Sequence, residues 1–228
     1  MTLSDQTEAI DWRGPVPISA RFDDPYFSLG DGLAETRHVF LGGNDLPARL
    51  RDGFAIAELG FGTGLNLLAT VQAWQAAGGA VGTLRFTSFE AFPMPAADMA
   101  RALTAWPELA DLAAVLVAQW AEGARVLTLP GCVAEVVVGD ARATLPRWQG
   151  FADAWFLDGF SPAKNPELWG ADLLAEVARH TAPGGTAATY SAAGHIRRAL
   201  AEAGFAVTRA PGFGHKRHMT RAVLEDAR

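Results

Sequence analysis

Between an apolar run and a helical pattern the chain reads Glu58-Leu59-Gly60-Phe61-Gly62-Thr63-Gly64-Leu65-Asn66, with glycine at alternate positions through the turn. Phe54 to Leu59 reads as a buried strand and Leu65 to Trp74 as an amphipathic helix. Glycines at such a junction let the backbone turn tightly, with no side chain between it and a ligand. The spacing therefore predicts an α/β fold in which this loop approaches a nucleotide-like cofactor. A glycine-rich turn with no ligand is the plainer alternative.

Spacing narrows the ligand. A dinucleotide fingerprint, G-x-G-x-x-G, needs glycine where Leu65 stands, and a Walker loop needs a Lys that does not follow these glycines. The pattern E-x-G-x-G-x-G resembles the first motif of S-adenosylmethionine-dependent methyltransferases. That resemblance implies that Glu58, Gly60, Phe61, Gly62, Thr63, Gly64 and Asn66 surround the amino-acid and ribose parts of the cofactor.

At 228 residues, with half of them hydrophobic, the chain is long enough for one well-buried α/β core, and no linker-like run divides it. No apolar stretch approaches the ~20 residues of a membrane-spanning helix. The start carries Asp5, Glu8 and Asp11 in place of a secretory signal, so a cytoplasmic location is expected. Cys132 stands alone, which excludes an internal disulfide and a cysteine-based zinc site and leaves a small buried or semi-exposed thiol. No metal is expected. The net charge of −6 argues against a uniform nucleic-acid coat, yet His195 to Arg221 carries six basic residues against the single acid Glu202. That segment is a candidate basic face; for Arg197 and Arg198 the solvated side of a helix explains as much.

In chain order, Leu84 to Phe89 reads as a strand ending at Glu90, where ligands sit in open α/β sheets. An ionised carboxylate there offers acceptors to both hydroxyls of a ribose. Ala96 to Ala121 reads as two helices broken at Trp106-Pro107, Ala134 to Val138 as a strand ending at Gly139-Asp140, and Ala154 to Leu157 as one ending at Asp158. Asp140 fits two roles, beside an adenine amine or as N-cap of the helix starting near Ala141. Thr186 to Tyr190 reads as another strand, Ile196 to Ala203 as a helix, and Phe205 to Thr208 with Thr220 to Glu225 as a terminal pair. The sum predicts a doubly wound, mostly parallel seven-stranded sheet with an antiparallel last strand, a helical insertion and an N-terminal extension over residues 1–50 packed on a catalytic domain over 51–228.

Asp158-Gly159-Phe160-Ser161-Pro162-Ala163-Lys164-Asn165-Pro166 is a polar loop stiffened by prolines directly after an apolar strand. Asp158 and Phe160 fit the acid and aromatic that amino-methyltransferases often carry here. A primary amine resembles Lys, with a pKa of ~10, and reacts only with its lone pair free. Asp158 is suited to accept the amine's hydrogen bonds and help remove its proton, and Phe160 to exclude water.

With Phe22-Asp23-Asp24-Pro25-Tyr26-Phe27-Ser28, Gly32 to Leu41, Asp158 to Trp169 and Gly212-Phe213-Gly214-His215-Lys216-Arg217 added, the chain resembles the methyltransferase domain of the MnmC family of tRNA-modification enzymes over roughly residues 10 to 224. The resemblance implies methylation of the aminomethyl nitrogen of 5-aminomethyl-2-thiouridine at the tRNA wobble position, with S-adenosylmethionine as donor. It implies cofactor contacts from Glu90, Asp140 and Asp158, and substrate contacts from Tyr26, Pro162, Lys164, Asn165, Phe213, Lys216 and Arg217. The anticodon loop of tRNA is the expected partner, its base stacked on an aromatic such as Phe160 or Phe213. His215 and His218 depart from the family pattern. No second glycine fingerprint precedes Arg228, so a form without the flavin domain is expected, with a separate FAD-dependent oxidoreductase as a candidate partner. The alternatives are an N-methyltransferase of a small amine or protein side chain, which would need no basic face, and a non-catalytic tRNA-binding module.

Overall fold

The computed structural model describes residues 9–28, 30–78 and 82–225. Asp5 and Glu8, on which the reading of the start rests, lie outside them. A small antiparallel sheet comes first: β1 (Ile10–Arg13), β2 (Val16–Ser19) and β3 (Asp24–Pro25). It docks through Trp12, whose Nε1 donates to Asp98 Oδ1 at 3.2 Å and whose ring lies 3.7 Å beneath the Arg101 guanidinium. The short helix α1 (Gly32–Thr36), N-capped by Asp31, runs on as a π-helical turn over Arg37–Leu41.

The main sheet contains β4 (Ala55–Leu59), β5 (Leu84–Glu90), β6 (Val126–Leu129), β7 (Cys132–Val138), β8 (Ala152–Leu157), β9 (Thr181–Thr189), β10 (Phe205–Pro211) and β11 (His218–Leu224), in the order β10-β11-β9-β8-β4-β5-β7-β6. Strands β9, β8, β4, β5 and β7 are parallel, and β10, β11 and β6 run antiparallel to their neighbours. Chain order reverses between β4 and β8, so the loops that follow these two strands flank the crevice where ligands bind in such sheets. Eight strands replace the expected seven: β6 folds back on β7 through Pro130-Gly131, with Gly131 at φ +72°. Its alternation is short, with Leu127 and Leu129 inward and Val126 and Thr128 outward, and it follows a helix without a break long enough to announce a strand.

The central strands are buried on both faces, as a parallel sheet covered by helices requires. On one face Ile56, Phe86 and Phe156 pack under α2 (Leu65–Ala76), α3 (Ala96–Leu103) and α4 (Ala110–Ala121). On the other, Ala57, Trp155 and Leu157 pack under α5 (Ala141–Thr144), α6 (Ala171–Arg179) and α7 (Gly194–Glu202). Pro107 separates α3 from α4 as expected, opening a 3-10 turn over Pro107–Leu109. The expectation of an amphipathic α2 does not hold: Leu65 to Val71 are all buried, because α1 and the π-helical turn cover the side turned away from the sheet. Cys132 is buried within β7, and burial pushes its thiol up to about 12, which makes it inert. Among the described residues no helix is long and apolar enough to cross a membrane.

Candidate active site

A cavity of about 840 Å³ opens at the carboxyl ends of β4, β5 and β8, within the ~300–1,000 Å³ usual for ligand pockets. Its floor is the glycine loop. Gly60, Gly62 and Gly64 have φ of +85°, +53° and +77°, a run that side chains rarely adopt. A Cβ on Gly60 would stand 3.3 Å from Gly159 Cα, and one on Gly62 3.2 Å from the Tyr26 ring. The first two glycines therefore keep the crevice open between two loops and a roof. Gly64 points elsewhere: its Cβ would meet Leu116 at 2.7 Å, so it serves the packing of α2 on α4 and does not line the cavity.

Behind the loop, Asn66 in the first turn of α2 holds two acids. Its Nδ2 donates to Glu58 Oε1 and to Asp158 Oδ2, both at 2.8 Å, and its Oδ1 accepts from Thr36 Oγ1 at 2.8 Å. The two carboxyl groups orient the amide, its N–H groups toward their oxygens, and the Thr36 hydroxyl turns to donate to its carbonyl. Glu58 also accepts from Ser88 Oγ at 2.7 Å and is wholly buried, which drives its carboxyl well above the usual range. It does not reach the cavity; it acts on the cavity through Asn66.

Asp158 does reach it. Burial raises its carboxyl to about 6, against the lowering effect of the Gly159 amide and of Asn66. Its Oδ1 accepts from Gly159 N–H at 2.8 Å, which with the Asn66 bond fixes the carboxylate plane. Phe160 stacks on Phe22 at 4.7 Å between centroids and meets Tyr26 edge-on at 5.0 Å. The loop that carries it is tied to the N-terminal segment: Ser161 N–H donates to Asp24 Oδ2 at 2.7 Å and Lys164 Nζ pairs with Asp23 at 2.9 Å. Trp169 Nε1 donates to the Phe160 carbonyl at 2.9 Å from behind.

On the β5 side, Glu90 Oε2 accepts from Gly62 N–H at 3.0 Å and Oε1 from Phe92 N–H at 2.7 Å. It braces the glycine loop from the end of β5 and lines the cavity there. Asp140 caps α5 by accepting from Arg142 N–H at 2.9 Å, so the capping role is present, and its carboxylate is gripped by the Arg142 guanidinium at 2.6 Å, which holds the group below its ordinary pKa. Arg142 also pairs with Glu167 at 2.8 Å across the mouth.

Phe61, Thr63, Asn165 and Lys216 line the same cavity, while Pro162, Phe213 and Arg217 do not. Phe213 leans toward His38, with centroids 6.0 Å apart, and Arg217 is exposed on the turn between β10 and β11. Tyr190 is a lining residue that the sequence reading did not single out, and the pairing of Glu35 is another feature it did not carry. Tyr190 follows β9, donates its hydroxyl to the Gly159 carbonyl at 2.8 Å and has its phenol pushed far up by burial. Its place after a parallel strand was the available signal. Glu35, in α1, forms an ion pair with Lys216 at 2.7 Å, a contact that spans almost the whole chain and has no local trace.

The residues present fit a nucleoside cofactor with a cationic centre: a side-chain-free cradle, a strand-end carboxylate at Glu90, and an acid-rich far end. A family model described as S-adenosyl-L-methionine-dependent methyltransferase matches residues 107–225. The chain is 48% identical over 237 residues to the tRNA 5-methylaminomethyl-2-thiouridine biosynthesis bifunctional protein MnmC of Caulobacter sp. (strain K31), covering 97% of this chain and 39% of that protein. It is 51% identical over 224 residues to the protein of the same name from Aromatoleum aromaticum (strain DSM 19018 / LMG 30748 / EbN1), covering 92% of this chain and 34% of that one. The chain thus spans well under half the length of these curated relatives. Among solved structures, MNMC2 from Aquifex aeolicus superposes with a TM-score of 0.78 at 25% identity, covering 97% of this chain and 72% of that chain.

Proposed function

Because the chain belongs to the S-adenosyl-L-methionine-dependent methyltransferase family, in the branch of the MnmC methyltransferase part, we propose that it methylates the aminomethyl nitrogen of 5-aminomethyl-2-thiouridine at the wobble position of tRNA. The observation that carries this reading is the position of Asp158: a carboxylate held by Asn66 and Gly159 on the floor of the same cavity that the glycine loop opens, under the Phe160 ring.

S-adenosylmethionine, when bound, supplies an electrophilic methyl group on a sulfonium. Gly60 and Gly62 let it approach, Glu90 accepts from its ribose, and Asp140 with the adjoining backbone faces its adenine. Asp158 takes one proton from the ammonium form of the acceptor, accepts hydrogen bonds from the resulting amine and aims its lone pair at the methyl carbon. As the N–C bond forms the methyl–sulfur bond would break with its electron pair staying on sulfur, and the product would leave as a secondary ammonium. Phe160, with Phe22 and Tyr26 beside it, stacks on the base and keeps water out. Lys164 and Asn165 on the proline loop and Lys216 and Arg217 on the β10–β11 turn meet the anticodon-loop backbone. The free amine arises by oxidative removal of a carboxymethyl group, a flavin-dependent step expected of an oxidoreductase partner.

The test is transfer of labelled methyl to tRNA bearing 5-aminomethyl-2-thiouridine, with nucleoside mass spectrometry of the product. The expected product is 5-methylaminomethyl-2-thiouridine, and Asp158→Ala is expected to lower kcat by ~10²–10⁴. A wild-type protein that binds the cofactor but leaves this tRNA unmethylated would sink the reading.

A further inference from the structure

At the acid-rich end of the cavity one contact has the chemistry of the reaction's own substrate. Lys216 Nζ, a primary ammonium on a methylene chain, lies 2.7 Å from Glu35 Oε1. It crosses the face of the Tyr190 ring, 4.1 Å from its centroid. The Glu35 side chain is 12% exposed and lines the cavity beside Asp158 and Tyr190, whereas Lys216 rides on the exposed β10–β11 turn and reaches in from outside. An aminomethyl group on a base is likewise a primary ammonium on a methylene, and it must come to the same end of the cavity to meet Asp158. A carboxylate this enclosed, facing a cavity, is a costly feature unless a cation answers it.

We propose that Glu35 is the residue that recognises the cationic aminomethyl group, and that in the free protein Lys216 occupies that group's place as an internal stand-in. This rests on the reading of the acceptor as an amine. The exchange follows from charge: a phosphate of the incoming anticodon loop draws Lys216 outward, and the aminomethyl ammonium takes over its contact with Glu35. Glu35 thereby selects an amine over an uncharged substituent, and Lys216 keeps the site closed to amines that arrive without a phosphate backbone. The proton then passes to Asp158 only after docking, so Glu35 is a specificity residue and not the base.

The experiment compares the free nucleoside 5-aminomethyl-2-thiouridine with tRNA carrying it, using labelled S-adenosylmethionine and wild type, Lys216→Met and Glu35→Gln. Lys216→Met is expected to raise kcat/KM for the nucleoside about tenfold and to lower it about tenfold for tRNA, because the nucleoside has no phosphate to displace the lysine. Glu35→Gln is expected to raise KM for both about tenfold with kcat and cofactor affinity within twofold. The opposed signs for Lys216→Met are the diagnostic outcome, since a lysine that only staples the turn to α1 would lose activity on both. A fall on both substrates, or no gain on the nucleoside, with an active wild type overturns the exchange alone. A wild type inactive on the modified tRNA overturns it together with the proposed function.

Discussion

Asp158 carries opposite consequences for activity and stability. Its folded pKa of about 6 exceeds the ordinary 3.8, so the folded state holds this proton more tightly than the unfolded one. Stability attributable to the group is therefore greatest below pH ~4, declines as pH rises toward 6, and stays diminished above it. Asp158→Asn removes the ionisation cost but sets an amide N–H against one of the two donors. The stability difference between the two proteins should therefore shift in the variant's favour by up to about 3 kcal/mol between pH ~4 and pH ~7.5, from a baseline at pH ~4 at which the variant is the less stable. Methyl transfer should behave the other way, with wild-type kcat/KM rising as pH climbs through about 6 and the Asn variant nearly inactive throughout. Calorimetry and a pH–rate profile check the two halves. For Glu58 the expected pair is Glu58→Gln, folded with little loss because Ser88 and Asn66 keep partners, against Glu58→Ala, destabilised by about 2–4 kcal/mol in urea titration because one Asn66 N–H and the Ser88 hydroxyl lose their acceptor in the interior. Asp158, Gly60, Glu90 and Phe160 were legible because each sits at a strand's carboxyl end or in a motif of fixed spacing. Glu58 was legible as a motif member but not as a buried brace, since spacing does not tell which way a carboxylate faces.

Among elements, the strand-to-helix unit β4–loop–α2 is the most constrained. Gly64→Ala would place a Cβ 2.7 Å from Leu116 at a φ of +77°, and a loss of about 2 kcal/mol is expected from backbone strain and the displaced leucine. At ~2–4 °C per kcal/mol for a chain of this size, the melting temperature should drop by about 4–8 °C with cofactor affinity reduced only secondarily. Scanning calorimetry beside cofactor titration separates the two effects. The parallel strands and α3, α4 and α7 could be read from apolar runs, Pro107 and turn glycines. Strand β6 could not, because four alternating residues gain their meaning only from β7 beside them. The all-round burial of α2 was hidden for a related reason: its outer cover is the segment before β4, and periodicity along one helix carries no record of what will lie over it.

For the whole molecule, charge is divided by location and not by total. Lys164 and Lys216 stand at the cavity mouth of a chain whose net charge is −6, so tRNA affinity should come from a few local phosphate contacts. With about three contacts to a single-stranded loop, affinity is expected to fall roughly tenfold or somewhat more between 50 and 200 mM salt in filter binding, while cofactor affinity barely moves. A flat response would argue for a small amine as substrate. The roof of the cavity has a further consequence. Asp23 and Asp24 meet Lys164 and Ser161 across 141 and 137 residues, and Glu35 meets Lys216 across 181. Closing such long loops is entropically slow and is rewarded only once the distant partners are in place. On a ribosome the roof therefore emerges first and waits for its floor, and during refolding the far-UV signal of the helices should return well before methylating activity does.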